Sequence, residues 1–185
     1  VRPFLTVRVQ TAKGQTILVQ LTPISFQDTL SLSVEDAAQM VGIGMMAMAM
    51  ATLFAQLVLI QRFNLSVQMM LRSGTVVMLV AFALMIAGGN YATLVMALVA
   101  AGLGFGLLRP GLSAAASLSV EPDEQGAIAG FIGSTAAMGH VVNPFMALPL
   151  YQITPEAPFI LAAVLMAVMG VFIVLHPLVS SVRSG

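Results

Sequence analysis

The sequence predicts an all-α membrane protein with six transmembrane helices, on the basis of its composition, its charge-free runs and the placement of its basic residues. Hydrophobic residues make up 59% of the 185 residues and charged residues only 8%, and the mean hydropathy is +1.01. A typical soluble domain is about 25% charged. Seven acidic and seven basic side chains could not cover the surface of a water-soluble fold of this length. The surrounding solvent is therefore expected to be lipid.

Apolar runs give the individual helices, because a helix needs about 20 mostly apolar residues to cross the hydrocarbon. The turn signal Gly88-Gly89-Asn90 divides the longest charge-free run into two. A weaker candidate at residues 12–30 contains Gln15, Gln20 and Gln27, so hydropathy alone does not establish it. With that candidate included, the predicted spans cover residues 12–30, 37–60, 70–88, 91–108, 125–150 and 157–176, in one bundle over residues 1–185 without a soluble domain.

Charge placement favours six spans over five. With six spans, every basic residue falls at or near one face of the membrane; these are Arg2, Arg8, Lys13, Arg62, Arg72, Arg109 and Arg183. The opposite face receives Asp28, Glu35, Asp36 and Glu156. Because positive charge marks the cytoplasmic side, we expect a multi-pass protein of the inner or plasma membrane with both ends of this segment in the cytoplasm. The chain opens with Val1 rather than Met and is interpreted as a fragment or processed piece.

Polar residues in the first predicted span form rows along the helix. Lys13, Gln20 and Gln27 repeat every seven residues and therefore share a side. Lipid cannot satisfy a glutamine amide, so this side is expected to meet protein or a watery cavity. Hydrogen bonding between helices and the lining of a cavity both fit the pattern.

Small residues in the fourth and fifth spans predict close contact between helices. Gly102 and Gly106 are four residues apart, and the fifth span repeats the spacing with Gly126, Gly130 and Gly133. Such spacing lets helix backbones approach one another in membranes. Later in the fifth span, Pro144 removes a helical hydrogen bond and is expected to bend the helix, which frees the carbonyl of His140.

His140 is an ionisable residue within a predicted span, which is by default a functional hypothesis because charging it against lipid is costly. Its usual pKa of about 6.5 suits reversible protonation. One interpretation is that His140 helps to bind substrate or protons. The other is a neutral histidine that hydrogen-bonds a neighbouring helix and supports the bend at Pro144.

Three stretches carry a resemblance to the drug:proton antiporter branch of the major facilitator superfamily, and the resemblance as a whole covers nearly all of the chain. "FQDTLSLSVEDAA", from Phe26 to Ala38, is similar to the end of the seventh helix and the following loop. "GLGFGLLRPGLSAAASLSVEPDEQGAIAGF", from Gly102 to Phe131, resembles the tenth helix, its loop and the start of the eleventh. "GHVVNPFMALPLY", from Gly139 to Tyr151, resembles the outer end of the eleventh, although the family usually has Gly-Pro where this chain has Asn143-Pro144.

This resemblance implies the C-terminal half of a twelve-helix transporter, helices seven to twelve, built from two inverted three-helix repeats with a binding site near the bilayer midplane. Within such a half, Gln20, Gln27, His140 and Asn143 are the candidate residues for lining the cavity, on the basis of their polarity within predicted spans. The resemblance implies loop or gating charges at Asp28, Arg62, Arg72 and Arg109. The stretch "LIQRFNLSVQMMLRSG" keeps Arg62 and Arg72 but lacks the acid that the family often has in the corresponding loop.

The function implied by the resemblance is proton-coupled efflux of small apolar or amphiphilic organic molecules by alternating access. The expected partners are such a substrate, protons, the lipid bilayer and a missing N-terminal six-helix half. Nucleic acid is not expected, because the net charge is near zero and there is no basic run. We expect no cofactor and no metal. Uptake of a sugar or metabolite, or a non-transporting scaffold or sensor on the same fold, are the alternatives.

An intramembrane serine protease is a competing class with six helices. It would need a Gly-x-Ser-Gly stretch, and the nearest candidate here is "GLSA", from Gly111 to Ala114, which has the wrong fourth residue. We therefore expect no enzyme activity.

Overall fold

Six helices make up the described part of the chain, which in this computed structural model comprises residues 2–117 and 125–175. They are α1 Arg2–Leu30, α2 Val34–Phe63, α3 Val67–Ala87, α4 Tyr91–Ser117, α5 Gln125–Ile153 and α6 Ala157–Leu175. Connections as short as residues 31–33, 64–66, 88–90 and 154–156 make successive helices antiparallel neighbours. The predicted all-α fold class is confirmed.

Four of these helices are long and apolar enough to cross a membrane within the residues described, namely α2, α3, α4 and α6. The helix α1 is not among them, in keeping with the glutamines that made its hydropathy weak. It begins at Arg2, well before the predicted span of 12–30. The helix α5 continues through Pro144 and Pro149, and the bend expected at Pro144 stays a prediction.

Helices begin and end at local capping and turn residues that the sequence contains. The Ser33 hydroxyl accepts a hydrogen bond from the Asp36 backbone at 3.1 Å and donates one to the Asp36 carboxylate at 2.7 Å, which caps the start of α2. The helix α3 ends at Gly88 and Gly89, whose φ angles of +49° and +86° suit glycine. Asn90 then accepts a hydrogen bond from the Thr93 backbone at 3.0 Å in the first turn of α4.

The core of the bundle is centred on α4, which packs most extensively against α3 and then against α2. The helix α3 also packs against α6, and α1 packs against α5 and α6. The largest fully buried side chains are the aromatic rings of Phe26, Phe82 and Phe105, which come from α1, α3 and α4. These contacts hold the six helices together in one bundle.

Two glycines bring α4 against α2. A Cβ added at Gly102 would overlap the backbone oxygen of Met48, and one at Gly106 would lie 2.6 Å from the Cβ of Ala55. The Thr52 hydroxyl lies 3.0 Å from the Gly102 carbonyl and 2.9 Å from the Met48 carbonyl, so it can donate to either. A π-helical segment, Ala55–Ile60, begins in α2 at this contact.

The first three glycines of α5 behave differently. Gly126, Gly130 and Gly133 are exposed, and an added Cβ at each would meet nothing within 4 Å in the described chain. They therefore make no close helix contact within this bundle. Their predicted role in packing stays a prediction and requires a partner outside these residues.

Candidate functional site

The charged residues divide the bundle into two ends. The acidic end carries Asp28, Glu35, Asp36 and Glu156, and the basic end carries Arg62, Arg72 and Arg109. Because α1 ends at the acidic end while α2 ends and α3 begins at the basic end, Asp28 cannot pair with Arg62 or Arg72 within this bundle. The predicted gating charges are therefore separated by the length of a helix.

The side of α1 that carries Gln20 and Gln27 is half-buried, and the amide oxygen of Gln20 is itself buried. Gln20 and Gln27 are half-buried, and the exposed Pro23 lies between them along the helix. The other side of α1 packs inward through Leu18 and Leu21, which are almost fully buried. The two amides thus belong to the side of α1 that this bundle leaves partly uncovered, and we call this side the glutamine face.

The two helices α2 and α5, both in contact with α1, carry exposed apolar side chains. The helix α1 contacts both α2 and α5, whereas within the described residues α2 and α5 make little contact with each other. In α2, Met46 and Met50 are 65% and 70% exposed, and in α5 Phe145 is 79% exposed. A half-buried polar strip on a helix whose neighbours carry exposed apolar side chains is suited to a molecule with a small polar part and a large apolar part.

Asn143 lies on the opposite side of α5 from the exposed Phe145. Asn143 and Ala147 are buried and Tyr151 is half-buried, and their four-residue spacing puts all three on the side turned toward the bundle. Asn143 is therefore part of the internal packing of this bundle, and its cavity-lining role stays a prediction. The side chain of His140 lies outside the part of the chain that the structure describes.

A hydrogen bond joins α1 to α5 at the acidic end. The Tyr151 hydroxyl donates to the Asp28 carboxylate at 2.9 Å, and we call this contact the Asp28–Tyr151 clasp. Next to it, a pocket of about 140 Å³ is lined by Ser25, Thr29 and Glu156 among others. The clasp joins α1 to α5 at the acidic end, where the glutamine face of α1 ends.

The environment of the clasp keeps the tyrosine protonated. Tyr151 lies just beyond the predicted span of 125–150, at the end of α5. Burial, together with the hydrogen bond to Asp28, raises the pKa of Tyr151 to about 12. The nearby buried Ser25 hydroxyl lowers that pKa, but by less than burial and Asp28 raise it. The phenol therefore acts as a donor throughout the physiological pH range.

The sequence of this six-helix bundle matches a known protein family. A family model described as Major Facilitator Superfamily matches residues 9–184. The chain belongs to the Major Facilitator Superfamily. It is accordingly a multi-pass membrane protein, and the resemblance noted from its motifs is confirmed at the level of the superfamily.

Solved structures of the superfamily share the fold. A crystal structure of a mutant of the peptide transporter POT in complex with alafosfalin matches with a TM-score of 0.69 at 19% sequence identity. The match covers 93% of this chain and 37% of the POT chain, so this chain spans well under half of that protein. A search of curated protein sequences gave no match. The structural likeness shows the fold alone at this level of identity.

The structure brings together some of the predicted site residues of this superfamily member and separates others. Gln20 and Gln27 share one face, and Asp28 follows them at the acidic end. Tyr151, which pairs with Asp28, was not predicted as a site residue, although it closes the third family-like stretch. Only the fold could show this pairing, because 123 residues separate the two partners.

Replacement of Tyr151 by phenylalanine is expected to loosen the acidic end, because it removes the hydrogen bond between α1 and α5. We expect faster amide hydrogen exchange at residues 25–30 and 147–153, with little change at the basic end. The chain's other tyrosine provides a matched control, since Tyr91 donates only a long hydrogen bond of 3.4 Å to the Met40 carbonyl. Equal effects of Tyr91→Phe and Tyr151→Phe would show that the clasp does not hold these helices together.

Proposed function

We propose that this chain is the C-terminal half of a secondary transporter that exports small apolar or amphiphilic organic molecules in exchange for protons. The observation that carries the proposal is the half-buried glutamine face of α1 together with the exposed apolar side chains of its neighbours α2 and α5. A substrate with a large apolar surface and few polar groups matches such a lining. Membership of the Major Facilitator Superfamily supports transport by alternating access.

The uncovered surfaces support a second half of the transporter. Only 17% of the most apolar window of α2 is buried, against 56% for α4. Gly126, Gly130 and Gly133 would let a helix outside this chain approach α5 closely, since nothing in the described residues occupies that side. The greater length of the POT transporter agrees with a missing six-helix partner. The substrate would then bind between the two halves.

The positions of the described carboxylates in this half narrow the choice of residue that carries the coupled proton. The described ones, Asp28, Glu35, Asp36 and Glu156, all lie at the acidic end and outside the middle of the membrane. The described carboxylates therefore leave His140, or a group of the other half, as the candidate proton carrier at mid-membrane depth. His140→Gln preserves polarity and removes titration, so a changed pH profile of transport would favour the role of His140 in coupling. An unchanged profile would assign the carrier to the other half.

Orientation is a further part of the proposal, in which the basic end faces the cytoplasm. This chain contains no cysteine, so single cysteines can report on its exposure. Ala38→Cys at the acidic end and Gln61→Cys at the basic end are both exposed sites. A membrane-impermeant maleimide added to intact cells is expected to label Ala38→Cys, and to label Gln61→Cys only after permeabilisation. The opposite pattern, or labelling of both in intact cells, would contradict the proposed orientation.

The proposed antiport can be tested with the full-length protein in cells loaded with a fluorescent lipophilic cation. We expect the cells to export the dye, and we expect a protonophore to abolish this export. Cells that carry the empty vector control for passive leakage. Export that continues unchanged after the proton gradient collapses would reject proton coupling, and net uptake of the dye would favour an importer.

A further inference from the structure

A groove of about 630 Å³ lies between α3 and α6, and none of its described lining residues belongs to α1, α2 or α5. It is formed by the basic-end half of α3 and the last turns of the described α6. Its walls are apolar side chains that include Val76, Leu79, Val171 and Val174. Among the described residues that line it, Arg72 is the one with a charge. The groove therefore combines a long apolar surface with a single positive charge.

The packing of the two helices explains why the groove stays open. At Gly170 the helices approach so closely that an added Cβ would lie 2.9 Å from the Cγ2 of Thr75. The Thr75 hydroxyl donates to the Leu71 carbonyl at 2.7 Å and therefore needs no other partner. Beside this contact, Val76 and Val171 are 61% and 58% exposed, and their β-branched side chains are too stiff to fold over the gap.

The dimensions of the groove fit one leaflet of a bilayer. Arg72 lies near the start of α3, and Leu79 is two turns further along the same helix, which corresponds to about 10 Å at a rise of about 1.5 Å per residue. Half of the hydrocarbon thickness is about 15 Å. The long side chain of Arg72 can carry its guanidinium to the level of the lipid headgroups. The charge thus lies at headgroup depth and the apolar walls at acyl-chain depth.

Arg72 is exposed and makes no ion pair within the described residues. The four described carboxylates lie at the other end of the bundle, so none of them can neutralise it. A guanidinium presents a planar set of donors that binds phosphate in a bidentate manner. The matching ligand therefore has an anionic phosphate joined to an acyl chain.

We propose that the α3–α6 groove binds one anionic phospholipid from the leaflet at the basic end. The phosphate pairs with Arg72, and one acyl chain lies along Val76, Leu79, Val171 and Val174. This site is separate from the proposed substrate site, since none of the described residues that line the groove belongs to α1, α2 or α5. It requires only that the helices span a membrane, and it is independent of the direction of transport.

Lipid binding can be measured on the full-length protein by native mass spectrometry in detergent. The two probes are phosphatidylglycerol and phosphatidylcholine with identical acyl chains, and glycerol phosphate tests the headgroup alone. We expect saturable binding of phosphatidylglycerol, with an affinity at least about tenfold above that of phosphatidylcholine, and no measurable binding of glycerol phosphate. Binding of glycerol phosphate as tight as that of the lipid would contradict an acyl-chain site.

Two variants test separately how much the Arg72 charge and the apolar groove contribute to lipid binding. Arg72→Gln is expected to weaken phosphatidylglycerol binding at least about tenfold, whereas Arg62→Gln removes an exposed charge at the same end, outside the groove, and is expected to leave it unchanged. Val171→Trp should fill the groove and exclude the lipid, and an unchanged melting temperature would show that the variant is folded. Equal binding of both lipids, or no effect of Arg72→Gln, would overturn the proposal. Lipid binding that arises only after removal of residues 176–185 would overturn it too, because the chain itself would then occupy the groove.

Discussion

Replacement of Gly102 by alanine is expected to destabilise the bundle by at least about 1–3 kcal/mol, the usual cost of forcing extra atoms into a packed core. The added Cβ would overlap the Met48 carbonyl oxygen, which belongs to the backbone and cannot rotate away. The helices α2 and α4 would have to separate, and the hydrogen bond from Thr52 to Gly102 would lengthen. A lower melting temperature of the purified full-length protein is the expected result.

Gly42→Ala is the matched control for that experiment. Gly42 lies in α2, and a Cβ added there would meet nothing within 4 Å. Alanine favours a helix interior over glycine by about 1 kcal/mol, so this variant is expected to be at least as stable as the parent protein. If Gly102→Ala were as stable as Gly42→Ala, the close packing of α2 against α4 would be wrong.

Replacement of both Gln20 and Gln27 by leucine is expected to reduce transport at least about tenfold, which corresponds to about 1.4 kcal/mol. Both amides lie on the glutamine face, and each lost hydrogen bond to the substrate or its water is worth about 0.5–1.5 kcal/mol. The rate of dye export per molecule of protein in the membrane is the quantity to measure. The melting temperature of the double variant is measured as well, because the Gln20 amide oxygen is buried and its loss must not unfold α1.

Gln68→Leu removes a half-buried amide of the same kind at the start of α3. It lies at the basic end, away from the glutamine face, and is expected to leave transport unchanged. A double variant of Gln20 and Gln27 that transports as fast as Gln68→Leu would show that the glutamine face does not contact the substrate.

Much of the fold could be predicted from the sequence because its turns carry local signals. Gly88 and Gly89 adopt the positive φ angles that end α3, and Ser33 caps α2. Other features depend on packing that no local pattern contains. The helix α4 continues through Pro110 to Ser117, beyond the predicted end at residue 108, because its last turns bury Leu112 and Ala115. The π-helical segment Ala55–Ile60 has no sequence signal that we can identify.

The candidate site was less predictable from the sequence, because it too depends on packing between helices that are distant along the chain. The seven-residue repeat of Gln20 and Gln27 identifies a polar side of α1 but not the helices beside it. Small-residue spacing likewise predicts close approach without naming the partner. Gly102 meets α2, whereas Gly130 has the same type of spacing and meets nothing within the described chain. The pairing of Asp28 with Tyr151 is a consequence of tertiary structure alone.

The central proposal, exchange of substrate for protons, can be tested most directly in proteoliposomes that contain the full-length protein and an internal pH dye. With no pH gradient imposed, a substrate gradient directed out of the vesicles is expected to drive protons inward and to acidify the lumen. The Gln20 and Gln27 double leucine variant should reduce this signal in proportion to its transport rate. Substrate movement at the parent rate without any change in internal pH would contradict proton antiport.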